Sequence, residues 1–185
     1  MKLIVVRHGE TKESVNQIIH GNLDGTLSGK GVEQAKKVAI ELKNEHFDQV
    51  YSSDLGRCVN TAKYIMQYHP EPKLQLTSEI REMNFGTTKR RYSRSEWDKL
   101  GGNILERRFQ EGESVLDMRQ KVIAFTNMLL NKFSNQKILL VTHGGPIRIL
   151  RSEFEGRSLE ELYDEEIPNT SIWRFELKKP LDPKY

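Results

Sequence analysis

Two stretches of the sequence follow one pattern: LIVVRHGET at residues 3–11 and ILLVTHGGP at residues 138–146. Each begins with four apolar residues rich in β-branched side chains, a run too short for a core helix and typical of a buried strand. Each then places a histidine and a glycine directly after the strand. Because open α/β sheets bind ligands beyond the carboxyl ends of their strands, the two histidines indicate one shared site.

The rest of the chain alternates short strands with segments of helical period. Further strands are predicted at 50–51 and 74–76, and residues 172–177 alternate as in an edge strand. Apolar residues recur at helical spacing over 32–42 after an N-cap at Ser28, over 55–65 and over 115–129, and Ser158 with Glu161 has the spacing of a capping box. The alternation predicts an α/β fold of three layers, a mainly parallel central sheet flanked by helices, in a single domain over residues 1–185.

Composition excludes several classes of protein. The net charge is +3 over 185 residues, too small for the strongly basic face of a general nucleic-acid binder. No apolar run approaches the roughly 20 residues of a membrane span, and the four apolar residues after Lys2 are too few for a signal peptide. The single cysteine, Cys58, excludes an intramolecular disulfide. We therefore expect a cytoplasmic protein that binds neither nucleic acid nor membranes.

Residues 87–111 stand apart because they contain seven basic and four acidic residues, an excess of +3. The stretch has no clean core period, so we interpret it as an insertion that folds over one end of the sheet. It is either a solvated surface helix or a lid that attracts an anionic substrate.

The residues at the strand ends suit phosphoryl transfer. A transferring phosphoryl group carries charge on three oxygens, so its transfer needs fixed positive donors, a nucleophile and a proton source. Arg7, beside His8, and Arg57, at the start of the helix after strand 50–51, can each bind phosphate oxygens in a bidentate manner. A neutral imidazole can attack phosphorus to form a phosphohistidine. Spacing alone does not select the proton donor among the 26 carboxylates.

The run Arg7-His8-Gly9-Glu10-Thr11 resembles the signature of the histidine phosphatase superfamily, the phosphoglycerate-mutase-like proteins. The resemblance extends over nearly the whole chain. Its further segments, in the family's order, are Leu27-Ser28 before Lys30-Gly31, Tyr51-Ser52-Ser53-Asp54-Leu55-Gly56-Arg57, Arg81-Glu82-Met83-Asn84-Phe85-Gly86, Gly112-Glu113-Ser114 and Val141-Thr142-His143-Gly144-Gly145.

The resemblance implies a role for each matching residue. His8 becomes the phosphorylated nucleophile and Glu82 the proton donor. The phosphate pocket is formed by Arg7, Arg57 and His143, with help from the backbone N–H of Gly144. The resemblance also implies chemistry without a metal or another cofactor. His8 then needs an acceptor that holds its attacking nitrogen unprotonated, which the sequence does not identify.

Two positions depart from the family pattern. Ser14 stands where relatives often have an asparagine that helps to hold phosphate, so either the Ser14 hydroxyl or Asn16 takes that role. His20-Gly21 replaces a common Gln-Gly or Thr-Gly pair, which makes His20 either a contact at the pocket rim or an exposed loop residue.

Other residues are weaker candidates for the site. Cys58 is predicted to be a small core residue rather than a nucleophile. His46 and His69 are predicted to be solvated. Glu10 and Glu113 are the alternatives to Glu82 as the acid.

The leading functional hypothesis is a phosphatase that hydrolyses phosphomonoesters of small metabolites. The alternatives are a cofactor-dependent phosphoglycerate mutase and a non-catalytic phosphate-binding module. Arg90 and Arg91 in the basic stretch suggest a substrate with a second anionic group, such as a bisphosphate. The edge strand near the C-terminus allows a homodimer.

Overall fold

The chain is built around one five-stranded sheet, in a computed structural model that describes residues 1–16, 18–19, 21–86, 92–93, 99–109 and 111–184. The strands of this sheet are β1 (Lys2–Arg7), β3 (Gln49–Ser53), β4 (Leu74–Thr77), β6 (Lys137–Thr142) and β7 (Ile172–Glu176). Two short strands, β2 (Ile18–Ile19) and β5 (Tyr92–Ser93), pair antiparallel in a separate ribbon. The helices are α1 (Gly29–Leu42), α2 (Gly56–Met66), α3 (Val115–Lys132), α4 (Gly144–Glu155) and α5 (Leu159–Tyr163), with a 3-10 turn at Ser14–Asn16.

The order of strands in the main sheet is β4-β3-β6-β1-β7. All neighbours run parallel except β7, which pairs antiparallel with β1 at the edge. The register places Arg7 opposite Thr142 and Ser52 opposite Val141. The carboxyl ends of β1, β3 and β6 therefore meet at one edge of the sheet, as the two matching histidine segments predict.

Helices cover both faces of the sheet, which confirms the predicted three layers. Side chains of a strand alternate between faces, so Ile4 and Val6 pack with α1 and α2, whereas Leu3 and Val5 pack with α3 and α4. Both clusters consist of buried apolar side chains. The mixed α/β architecture with a mainly parallel sheet agrees with the sequence prediction.

The predicted helix starts are also confirmed. Ser28 caps α1 by accepting a hydrogen bond from Gly31 N, and Ser158 caps α5 in the same way from Glu161 N. Ser114 forms a full capping box with Asp117 at the start of α3.

The stretch at 87–111 is described only in part. Its second half is attached to the core, because Leu105 is buried and its carbonyl accepts a hydrogen bond from Leu116 N in α3. Arg108 forms an ion pair with Asp117 on the same helix. The predicted contacts of Arg90 and Arg91 lie outside the described residues, so they stay predictions.

The prediction for one histidine is wrong. His69 is buried, not solvated, and its ring packs edge-to-face against Phe47 at 4.9 Å. Burial lowers the pKa of His69 because it disfavours the charged imidazole. His46 is exposed, as predicted.

Within the described residues, none of the helices is both long and apolar enough to span a membrane.

Candidate active site

The ring of His8 is held in one tautomer by its own neighbour in the chain. His8 is only 6% exposed, and its Nδ1 lies 2.8 Å from the carbonyl oxygen of Gly9. A carbonyl oxygen can only accept, so Nδ1 carries the proton and donates it to this bond. Nε2 is then the unprotonated nitrogen of the neutral ring. Gly9 O is thus the acceptor that sequence analysis could not identify.

Residues 169–171, which are distant in the sequence, hold the backbone of Arg7 and His8 by hydrogen bonds. Thr170 N donates to Arg7 O at 3.1 Å, and the Asn169 side-chain amide donates to His8 O at 3.0 Å. Arg7 N donates in turn to Ser171 O at 3.2 Å. Thr170 has a φ of +55°, a left-handed conformation that is strained for a β-branched residue. Strain of this kind persists where the surrounding contacts impose it, and here these contacts hold the backbone of Arg7 and His8.

The guanidinium of Arg7 is held by one hydrogen bond, and one of its N–H groups has no acceptor among the described residues. Its Nη1 donates to the carbonyl of Ile167, while its buried Nε has no hydrogen-bond partner among the described residues. Burial lowers the pKa of Arg7, and the positive charges of Arg148 and Arg57 act in the same direction. Since arginine has a pKa far above 7, it stays charged. A buried charged donor without an acceptor is suited to bind an anion.

Arg57 is held at three points although it is almost completely buried, with 1% of its surface exposed. Its Nη1 and Nη2 donate to the carbonyls of Leu23 and Gly21, each at 2.7 Å, and its Nε donates to His143 Nδ1 at 3.2 Å. Desolvation lowers the pKa of Arg57. The loop at 21–23 and the second histidine therefore fix the direction of this guanidinium.

His143 is in contact with Arg57 and is completely buried. Its ring is 5.1 Å from that of His8, centroid to centroid, in an edge-to-face arrangement. Since Arg57 Nε can only donate, Nδ1 of His143 accepts, and Nε2 carries a proton toward Ser53 Oγ at 2.8 Å. The structure thus brings His143 to the site as a support for Arg57. Its direct contact with phosphate stays a prediction.

Cys58 lies against the same histidine but has the properties of a core residue. Its Sγ is 3.3 Å from His143 Nε2 and donates to Thr142 O at 3.4 Å. Full burial raises the pKa of the thiol to about 12, so it is not a thiolate at neutral pH. The environment of Cys58 therefore favours a small core residue over a nucleophile.

Glu82 reaches the site from the loop after β4 and binds the first turn of α4. Its Oε2 accepts a hydrogen bond from Gly145 N at 3.2 Å, and its Oε1 accepts one from Met83 N at 3.1 Å. The preceding residue, Arg81, forms a two-point ion pair with Asp54 at the end of β3. The side chain of Glu82 is thus held beside the first turn of α4.

The other two carboxylates considered as the acid are already engaged elsewhere. Glu10 accepts hydrogen bonds from the Ser28 hydroxyl and from Lys30, which lower its pKa. Glu113 pairs with Lys121 and accepts a hydrogen bond from Asn84 N. Glu82 is the candidate whose carboxylate lines the same cavity as His8.

That cavity has a volume of about 260 Å³ and joins the candidate residues. Four of the predicted catalytic side chains line it, together with Ser14 and Gly21: they are Arg7, His8, Arg57 and Glu82. The Ser14 hydroxyl donates to Thr11 O within a turn, and Gly144 begins α4 beside the cavity. The side chain of Asn16, and the whole of His20, lie outside the described residues, so their roles stay predictions.

Sequence analysis missed a third arginine in the cavity wall. Arg148 lies on α4, one turn after Gly144, and lines the cavity. Its Nε and Nη2 donate to the carbonyls of Leu162 and Glu165, at 3.1 and 2.7 Å. The sequence contains an indication of this position, because Arg148 lies four residues after Gly144 and that spacing puts both residues on the same side of a helix.

Comparison with known proteins agrees with this geometry. A sequence profile of the Histidine phosphatase superfamily (branch 1) matches residues 3–180. The chain is 30% identical over 188 residues to "Probable phosphoglycerate mutase GpmB" of Shigella boydii, covering 98% of this chain and 87% of that protein.

Solved structures give the same result at the level of the fold. The phosphoserine phosphatase of Entamoeba histolytica, solved in complex with 3-phosphoglyceric acid, superposes with a TM-score of 0.78 at 27% identity. The alpha-ribazole phosphatase of Shigella flexneri superposes with a TM-score of 0.81 at 26% identity. Each match covers 94% of this chain and 89% of the other.

Proposed function

The chain belongs to the histidine phosphatase superfamily, and on that premise we propose that it is a phosphatase that hydrolyses phosphomonoesters of small metabolites through a phosphohistidine on His8. The observation that carries the proposal is the hydrogen bond between His8 Nδ1 and Gly9 O, which leaves Nε2 unprotonated in a cavity that three arginines also line. Two similar solved structures, both of phosphatases, support the same class of reaction.

The proposed first step transfers the phosphoryl group to the enzyme. His8 Nε2 attacks phosphorus, and the bond between phosphorus and the ester oxygen breaks. Glu82, in its protonated form, gives its proton to that oxygen, so the product leaves as a neutral alcohol. Arg7 and Arg57 stabilise the charge on the three equatorial oxygens.

The second step regenerates the enzyme. Glu82, now a carboxylate, takes a proton from a water molecule as that water attacks phosphorus. The bond between phosphorus and Nε2 breaks, and inorganic phosphate leaves. Glu82 is protonated again, so atoms and charges balance over the cycle.

Metal independence is part of the proposal. Positive charge on a metal ion and positive charge on arginine serve the same purpose toward phosphate oxygens. Three arginines line the cavity, Arg7, Arg57 and Arg148. Each is held by at least one backbone carbonyl, so little reorganisation is needed when phosphate binds.

The test is phosphate release from 4-nitrophenyl phosphate in chelator-treated buffer, with His8→Ala as the variant. His46→Ala is the matched control, because His46 is an exposed histidine outside the cavity. We expect wild type and H46A to turn over and H8A to lose at least a thousandfold in kcat. Equal activity of H8A and wild type would remove His8 as the nucleophile, and activity lost with chelator would remove metal independence.

A phosphoglycerate mutase is the second candidate, because a relative that aligns over nearly the whole chain is named as a probable phosphoglycerate mutase. A mutase returns the phosphoryl group from His8 to the substrate instead of to water. The two reactions are separated by incubating the enzyme with 3-phosphoglycerate. Formation of 2-phosphoglycerate without net phosphate release identifies a mutase, and phosphate release without isomerisation identifies a phosphatase. Phosphate binding without either reaction identifies a binding module.

A further inference from the structure

Several of the described residues that line the cavity are apolar. They are contributed by the loop after β4 and by the helices α3, α4 and α5, and six of them are Phe85, Val115, Met118, Ile149, Leu159 and Tyr163. Four of these side chains, on α3, α4 and α5, are almost completely buried and belong to the hydrophobic core. The core therefore extends to the edge of the reaction site, and we call these six residues the apolar wall.

The apolar wall begins at the proposed proton donor. An added Cβ at Gly145 would lie 2.7 Å from the Met118 methyl group and closer still to the Glu82 carboxylate. Met118 and Glu82 therefore meet at the same glycine. Glu82 delivers its proton to the ester oxygen in the proposed mechanism, so the group attached to that oxygen must pass beside Met118.

The chemistry of the wall determines which group is favourable there. An anionic group placed against buried aliphatic side chains loses its hydration without gaining a partner, which is costly. An alkyl or aryl group removes its own apolar surface and that of the wall from water, which is favourable. Arg148 is the charged neighbour of this wall, but its Nε and Nη2 already donate to the carbonyls of Leu162 and Glu165. Its Nη1 is 3.1 Å from an added Cβ at Gly144, where Arg7 Nε is 3.9 Å away.

We infer that the apolar wall is a subsite for the alcohol part of the substrate and that it selects an alkyl or aryl group rather than a second anion. The inference rests on the proposed function, because it assigns the phosphate to the end of the cavity that holds Arg7 and Arg57. It gives a substrate class different from the bisphosphate that Arg90 and Arg91 suggest.

The test measures binding, so that it does not depend on turnover. Isothermal titration calorimetry gives Kd for ethyl-, butyl- and hexylphosphonate, which keep the anionic head but cannot be hydrolysed. We expect Kd to fall about fourfold for each methylene that the wall covers fully. The matched ligand is 6-phosphonohexanoate, which has the same six carbons but ends in a carboxylate, and we expect its Kd to be at least tenfold higher than that of hexylphosphonate.

A pair of variants assigns the effect to the wall. Tyr163→Gln removes an aromatic ring from it, and Tyr68→Gln makes the same change at an exposed position outside the cavity. We expect Y163Q to reduce the ratio of Kd between ethyl- and hexylphosphonate at least threefold, whereas Y68Q keeps the wild-type ratio. The series on wild-type protein decides the matter even if Y163Q does not fold.

The outcomes separate the inference from the function on which it rests. A Kd that is independent of chain length, or a tighter fit of 6-phosphonohexanoate, overturns the subsite. A chain-length dependence without phosphate release from any ester supports the subsite and overturns the phosphatase. Phosphate release without a chain-length dependence does the reverse.

Discussion

Glu82 and Gly145 are joined by a hydrogen bond of 3.2 Å from the backbone N–H of the glycine to the carboxylate. The family resemblance implies that the backbone N–H of Gly144 helps to hold phosphate, whereas the N–H of the next residue, Gly145, binds the protein's own carboxylate. The first turn of α4 therefore orients the proposed proton donor. In the proposed mechanism, phosphate is bound by the arginines that line the same cavity.

The first prediction concerns the space at Gly145. A methyl group there would collide with the Glu82 carboxylate and with the Met118 side chain. We expect Gly145→Ala to displace Glu82 and to lower kcat for 4-nitrophenyl phosphate about 10- to 100-fold. Gly156→Ala is a control for folding, because its added methyl group would meet no neighbour, although its φ of +67° makes some loss of stability expected. Equal kcat for G145A and wild type would separate Glu82 from this contact.

The second prediction concerns proton donation. We expect Glu82→Gln to lower kcat by at least a hundredfold for an alkyl phosphate, whose alkoxide is a poor leaving group. For 4-nitrophenyl phosphate, whose phenolate leaves without help, the loss in the first step should be much smaller. Rapid-quench measurement of nitrophenol release isolates that step. A loss of the same size for both esters would point to another acid.

The third prediction concerns the support of the nucleophile. The Asn169 amide holds the His8 carbonyl and does not itself line the cavity, as far as the described lining residues go. We expect Asn169→Ala to lower kcat about tenfold with little change in KM, because the alignment of Nε2 is lost while the arginines still hold phosphate. Asn60→Ala, an exposed asparagine on α2, serves as the control. A rise in KM alone, at constant kcat, would contradict this role.

The fourth prediction is a pH dependence of stability. The side-chain hydrogen bonds from Arg81 lower the pKa of Asp54 below its ordinary value of 3.8. A carboxylate with a lowered folded pKa stabilises the native state above its unfolded pKa, and the contribution disappears as the pH falls through the folded pKa. The free energy of unfolding of Asp54→Asn should thus be lower than that of wild type by a constant amount above about pH 5. The difference should shrink below pH 3.8, as urea titrations at several pH values would show. A constant gap down to pH 2 would contradict the ion pair.

The fifth prediction concerns Cys58, whose pKa of about 12 follows from full burial. We expect native protein at pH 8 to resist iodoacetamide, and protein unfolded in guanidinium chloride to take up one label per chain. Intact mass measures both. Rapid labelling of native protein would show that the thiol is accessible.

The sequence predicts those parts of the site that follow directly from a strand or begin a helix. His8 and His143 come after short β-branched runs, and Arg57 comes at the start of α2, so their convergence at one sheet edge follows from the fold class. Glu82 lies in a loop without periodicity, so only the family resemblance identifies it.

The remaining contacts involve residues far apart in the sequence. Asn169 and Thr170 support His8 from about 160 residues away, and no local pattern links them. Arg148 has the spacing of a surface cation on a helix, and its role depends on which carbonyls happen to face it. The sequence predicts a solvated His69, but this histidine is buried because it packs against Phe47, 22 positions earlier in the chain.

The fastening of Arg7 and His8 by residues 167–171 also has a consequence for biosynthesis. A ribosome produces Asn169, whose amide holds the His8 carbonyl, 161 residues after it produces His8. Nascent chains gain their amino-terminal strand early, yet β1 has neither of its sheet neighbours until β6 and β7 emerge. We therefore expect a nascent chain to gain phosphatase activity only after residues 167–171 have emerged, so that chains stalled before these residues release no phosphate from phosphate esters.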